Sequence, residues 1–268
     1  MNPVRLHNRG MVVKTRILAV SLLAISLAAS SIHAQNPPQA SSKPAANLVD
    51  PASVQALKDM GAYLQTLKRF RVTTELTGEV VLRDGEKLQH AARADMDVVR
   101  PTKLRMQMSS MQSNREIIYD GKKVTLYTPA QKYYSTVEFS DTIGVLIDRL
   151  EERYGVDFPM ADFFRWGTPT ASFDKIESAM NAGQDFIGKD LCDHYAFRQG
   201  KLDWQIWITA GAKPLPRKIV ITNRADEARP QSVSLYTWNL APTFEDSVFS
   251  FTPPSGAKKI EIVQRKSK

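Results

Sequence analysis

Across residues 203–262 the chain repeats one pattern, a short run of alternating apolar and polar residues, a turn, then another run, ending in Phe249-Ser-Phe-Thr-Pro-Pro-Ser-Gly-Ala257. A period of two sends successive side chains to opposite faces, so each run has one apolar face, and short turns between runs make neighbours antiparallel. The pattern reads as a meander. A long meander with one greasy face curves, and that face must be covered.

The first half of the chain carries the same signal with helices added. Asp50 is a good N-cap, Pro51 suits the first helical position, and Val54, Leu57, Met60, Gly61, Leu64 and Leu67 share a stripe. Alternating runs follow at 70–82, 88–99, 103–108, 115–119, 123–127 and 133–139, with Asp84-Gly85 and Asp120-Gly121 supplying turn residues. Residues 141–154 read as a second helix with Ile143, Leu146, Ile147 and Leu150 on one face. The apolar patch 158–166 suggests a short helix or loop over the sheet, and 174–179 another helical turn. Strands are expected at 185–188, 192–198, 204–208, 217–222, 232–238, 248–251 and 259–263. The fold class is therefore mainly β with inserted helices (α+β): a curved antiparallel half-barrel of about 11 strands covered by helices.

The organisation outside that fold is also readable. Arg5, Arg9, Lys14 and Arg16 precede a run of 13 apolar or small residues at 17–29 and a small-residue site ending at Ala34, so 1–34 is expected to be a cleavable signal peptide. The run falls short of the ~20 residues a membrane span needs. A lipoprotein would need a cysteine at the cleavage point, and the only cysteine is Cys192. Residues 35–47, rich in Pro, Ala, Ser and Gln, are expected to be a disordered tether, 48–264 a single half-barrel domain, and 265–268 a frayed basic tail. Of the net +8, the leader holds four basic and no acidic side chains, leaving +4 in the mature chain. That mild excess has no dense basic patch, so nucleic acid is not an expected partner.

The order of elements, with Asp203-Trp-Gln-Ile-Trp-Ile208, Leu215-Pro-Arg-Lys-Ile-Val-Ile221, Tyr236-Thr-Trp-Asn239 and the closing Phe-x-Phe-x-Pro-Pro segment, resembles an uncharacterised family of predicted periplasmic proteins. That family is similar in turn to the periplasmic lipoprotein carriers and outer-membrane lipoprotein receptors. The resemblance implies a half-open barrel whose apolar concave side, lidded by helices, holds acyl chains.

On this reading the chain is a periplasmic monomer that binds a hydrophobic or lipid ligand, without a cofactor, metal or catalytic group. The expected lining is Leu104, Met106, Met108, Ile117, Leu126, Tyr134, Trp204 and Ile206, with Ile208, roofed by Leu146 and Ile147 of the second helix. Each buried methylene of such a ligand contributes about 0.8 kcal/mol. The alternative is a non-catalytic module that meets an envelope protein partner through an exposed aromatic segment at Phe163, Phe164 and Trp166. Other chemistry is weakly supported. Met106, Met108 and Met111 offer thioethers suited to Cu(I), but no His or Cys completes the set. Cys192 and His194 share a strand face, yet no oxyanion hole or orienting group is evident. Asp95 and Asp97 read as a solvated pair.

Overall fold

A computed structural model describes residues 48–262 except 112, 157 and 172. The expected leader, tether and basic tail lie outside the described residues, which fall within one compact unit. The chain opens with α1 (Pro51–Thr66), whose N-cap Asp50 accepts from the backbone N–H groups of Ala52 and Ser53 and so satisfies donors that the first helical turn leaves free. Leu57, Met60, Gly61 and Leu64 are buried on the expected stripe, together with Ser53.

Twelve strands then form one curved, unclosed sheet: β1 (Arg69–Val81), β2 (Lys87–Val99), β3 (Lys103–Ser110), β4 (Asn114–Tyr119), β5 (Lys123–Thr128), β6 (Tyr133–Glu138), β7 (Ile176–Ile187), β8 (Asp190–Gln199), β9 (Leu202–Thr209), β10 (Pro216–Asn223), β11 (Gln231–Asn239) and β12 (Lys258–Lys259). Their order is β12-β6-β5-β4-β3-β2-β1-β11-β10-β9-β8-β7. Two local meanders thus meet at one seam, where β1 pairs antiparallel with β11 and Arg71 faces Asn239. Between β6 and β7 come α2 (Ile143–Tyr154) and the one-turn α3 (Asp162–Arg165). Gly155, in the left-handed conformation, caps α2.

Four expectations are corrected. Residues 174–179 do not form a helical turn, and the strand expected at 185–188 is the end of a longer one. Edge strand β7 runs from Ile176 to Ile187 because pairing with β8 overrides local helix propensity. The run 248–251 is not a strand either; Asp246–Phe249 is a 3-10 helix. This stretch lies over the face of interior strands, whose edges are already paired, so it has no ladder to join. Of the strand expected at 259–263, Lys259 belongs to the two-residue β12, which runs parallel to β6, and Ile260 N–H donates to Tyr134 O at 2.8 Å, while residue 263 lies outside the described residues.

Register assigns the two faces. Trp238, Val72, Met96, Met106, Ile117, Leu126 and Ser135 follow one another across seven strands on the inner face. That face joins α1, α2 and α3 in one core containing Leu57, Met60, Leu64, Leu146, Ile147, Leu150 and Phe163. The next row, Thr237, Thr73, Asp95, Gln107, Glu116, Tyr127 and Tyr134, lies on the outer face. Here the C-terminal segment crosses as a strap. Phe244 packs near the Arg71 guanidinium at 5.5 Å, Phe249 is buried, and the Phe251 ring sits 5.3 Å from Tyr127 and 5.2 Å from Tyr134.

Candidate functional site

The inner face is packed unevenly. Over the half formed by β2 to β6, α2 fills the space: Leu146, Ile147, Leu104, Met106 and Ile117 are each at most 1% exposed. The N-terminus of α2 is tied down by Ile143 N–H donating to Pro101 O at 2.9 Å, and Tyr119 Oη donates to Asp141 O at 2.5 Å. Over the seam and β9 to β11 the cover is the segment between α2 and β7, and beneath it lies a cavity of about 370 Å³. Ligand cavities commonly span ~300–1,000 Å³.

The floor of this cavity comes from β1 (Thr74, Leu76), β9 (Leu202, Trp204), β10 (Ile219, Ile221) and β11 (Ser234, Tyr236). Its roof is Met160, Asp162, Phe163, Arg165, Trp166 and Phe173. The roof is held at several points. Phe163 packs against Tyr236 and Trp238 with ring centroids 5.1 Å away in each case. Arg100 stacks 4.9 Å over Phe164 and donates to Phe163 O. Gln65 Nε2 donates to Trp166 O at 2.6 Å, and Gly61 of α1 meets the backbone of Gly167 directly. Met160 holds a left-handed φ of 67°, and Thr74 Oγ1 donates to its sulfur at 2.8 Å. The exposed lining residues are Asp162 and Thr170 on the roof side and Leu202 and Ile221, 40% and 37% exposed, on the sheet. From there Leu76 and Ser234 also line a further recess reaching the β3–β4 turn at Met111. A second recess of about 470 Å³ at the start of α2 is lined by Gln65, Lys68, Arg100 and Thr142 together with Pro101, Ile143, Val145 and Phe164.

Of the expected lining residues, Trp204 reaches the cavity, stacked on Phe197 at 4.3 Å. Leu104, Met106, Ile117, Leu146, Ile147, Ile206 and Ile208 sit in the filled core, while Leu126 packs at its border. Met108 lies on the inner face beside Arg115, whose Nη2 is 3.9 Å from its sulfur. Tyr134 points to the opposite, outer face; its β6 neighbour Ser135 holds the inner position opposite Leu126. The residues sequence reasoning missed are those of the roof and β10–β11. The aromatic segment expected to be exposed is corrected: Phe163 and Phe164 are 1% and 4% exposed, since they fold down onto the sheet.

Electrostatics inside the cavity centre on two groups. Burial pushes the Tyr236 hydroxyl up to about 12, opposed by a hydrogen bond with Ser234 and reinforced by the charge of Asp162. Asp162 lines the cavity as an exposed side chain, and the protein crowded around it raises its carboxyl above the ordinary value; Arg165 opposes the shift and Glu151 adds to it.

The other candidate chemistry has different partners. His194 Nε2 lies 3.0 Å from Gln205 Oε1, its Nδ1 3.6 Å from Asp185, and its ring stacks on Trp207 at 3.9 Å. Cys192 is fully buried with its thiol raised by desolvation, and its sulfur is bonded to Asp190 O at 3.5 Å rather than to the imidazole. Met106 is buried whereas Met111 is fully exposed, so the three thioethers do not converge. Asp95 and Asp97 differ from the solvated pair expected: Asp97 is 9% exposed and held by Arg71, and Asp95 accepts from Arg93 and Thr73.

Residues 53–263 match a family described as predicted periplasmic protein (DUF2092). The chain belongs to this family. Its place is therefore the periplasm, and among the described residues no helix is long and apolar enough to cross a membrane. No curated protein matches. Among solved structures the chain is similar to an uncharacterised conserved protein of Thermus thermophilus, with TM-score 0.44, 11% identity, and 78% of this chain and 99% of that one covered. It is also similar to lipoprotein LppX of Mycobacterium tuberculosis, with TM-score 0.46, 11% identity and coverage of 73% and 100%. A third is the LolA superfamily protein NE2245 of Nitrosomonas europaea, with TM-score 0.35, 10% identity and coverage of 74% and 97%.

Proposed function

We propose that this DUF2092 member is a periplasmic binding or carrier protein for a hydrophobic ligand, with acyl chains the favoured class, acting without catalysis. The observation that carries the reading is the cavity of about 370 Å³ between the seam strands and the aromatic cover. Its walls at Leu76, Phe163, Phe173, Trp204 and Ile219 offer a chain continuous apolar contact, and Trp204 is the expected lining residue that the proposal retains. At about 0.8 kcal/mol per buried methylene, a chain of roughly ten carbons gains on the order of 8 kcal/mol before the cost of ordering it. The mouth, flanked by exposed Leu202 and Ile221, gives such a chain an entry that does not require the sheet to open.

The test is native mass spectrometry of the mature protein, purified from a periplasmic fraction without detergent and then extracted with solvent. A defined additional mass that extracts as an acyl lipid is the expected result. Replacing Ile219 with Trp, which fills the cavity floor, should give a folded protein that no longer takes up a fluorescent fatty acid or alkyl probe. Native protein that carries no ligand and takes up no probe would sink the reading.

A further inference from the structure

The cavity contains one charge that its surroundings leave unmatched. Asp162 opens α3 and lines the cavity as an exposed side chain, and among the described residues no protein hydrogen bond reaches its side chain. Arg165, three residues on and also in the lining, is already engaged outside the cavity: its Nη2 donates to Asp148 Oδ1 at 2.8 Å and to Glu151 Oε2. That guanidinium is thus matched by two carboxylates before Asp162 is counted. Thr74, Ser234 and Tyr236 offer hydroxyls and Gln199 an amide on the sheet side of the cavity, and Thr170 adds a hydroxyl to the lining. Thr74 is bonded to the Met160 sulfur, and Tyr236 feels the field of Asp162 across the gap.

A carboxylate exposed at the edge of an apolar recess is met by water rather than by a protein donor, and a ligand group that brings a donor or a positive charge to it gains a charge-assisted hydrogen bond. A second carboxylate brought beside it adds like-charge repulsion instead. Resting on the hydrophobic-ligand reading above, we infer that Asp162 selects the polar end of the ligand: the cavity takes an amphiphile headed by a hydrogen-bond donor, an amine or alcohol, and disfavours one headed by a carboxylate. The apolar walls accept the same tail in either case, so discrimination comes from the head.

The experiment compares decylamine, decanol and decanoate, identical in tail length, as competitors for bound N-phenylnaphthylamine, an uncharged fluorophore, on the mature protein near neutral pH. Decylamine is expected to displace the fluorophore at about tenfold lower concentration than decanoate, with decanol between them. This ratio is read on the native protein and needs no variant. The isosteric Asp162→Asn change should bring the two charged ligands to within about twofold of each other, chiefly by improving decanoate. Equal displacement by decylamine and decanoate in the native protein, or an unchanged ratio in folded Asp162→Asn, overturns the inference while leaving the hydrophobic-ligand reading intact. If neither the fluorophore nor any of the three ligands binds, both fall.

Discussion

Replacing Gly61 with Ala tests whether the cavity roof is fastened as described. A Cβ built on Gly61 would lie 2.5 Å from the backbone nitrogen of Gly167 and 2.9 Å from the carbonyl carbon of Trp166. Both obstacles are main chain, so no side-chain rotation relieves them; α1 or the roof must move. Overpacking of this kind costs about 1–3 kcal/mol, against which Ala in a helix interior regains about 0.5–1 kcal/mol over Gly. The net expectation is a loss of about 1–2 kcal/mol. Gly144 in α2 is the control, since nothing lies within 4 Å of its added Cβ; Ala there should be neutral or stabilising by up to about 1 kcal/mol. Urea unfolding followed by tryptophan fluorescence reads both, compared at a common m-value. Because Gly167 follows Trp166 of the roof, Gly61→Ala should also weaken uptake of an alkyl fluorophore. A Gly61→Ala protein as stable as the native one, beside a Gly144→Ala protein that behaves as expected, would refute the close contact of α1 with the roof.

Tyr236 should resist ionisation. Its folded-state value of about 12 lies above the ordinary 10.0, so its contribution of roughly 3 kcal/mol is fully present below pH 10 and is lost as pH rises toward 12. Ultraviolet difference titration, native against Tyr236→Phe, should show one phenol titrating late, and an ordinary titration for all phenols would contradict its burial. The Cys192 thiol should be silent to Ellman's reagent in the native state and react after denaturation, since burial both hides it and raises it; rapid native reaction would place it at the surface. Phe249→Ala should cost about 3–5 kcal/mol in unfolding experiments while leaving probe uptake intact, because the strap lies on the face away from the cavity; unchanged stability would mean the strap is not packed there.

The elements most legible in the sequence are those whose signals are local. Asp50-Pro51 announces α1, the two Asp-Gly pairs announce hairpins in which Gly85 and Gly121 adopt φ of +88° and +93°, and the stripe of α2 is buried as its spacing requires. What escapes depends on distant partners. Ile176 to Ala179 reads as helical because Glu, Ser and Ala tolerate a helix, and only β8 makes it a strand. Phe249 and Phe251 alternate because both pack against one face of the sheet, an alternation that mimics a strand without any ladder. Tyr134 groups with Leu126 on aromatic and apolar character, yet its register places it with Tyr127 on the other face. The cavity is the least legible feature: both halves of the sheet offer similar apolar rows. Which half is filled depends on where the segment after α2 comes down, fixed by Arg100, Gln65 and Gly61, residues far from it in the chain.

The seam between β1 and β11 has a consequence for how the molecule comes to exist. Each meander is built from neighbouring hairpins, which close quickly because little chain is enclosed. The seam must instead bring Gly78 to Ser232 and Arg71 to Asn239, joining the start of the fold to its end, and loop closure of that length is slow. Thr74 and Leu76 stand on one side of this junction and Ser234 and Tyr236 on the other, all on the cavity floor. Neither meander alone therefore owns the cavity. The cavity closes only when this long-range pairing zips shut, and a ligand held there, touching both sides, would act as a clamp on the slowest-formed junction of the fold.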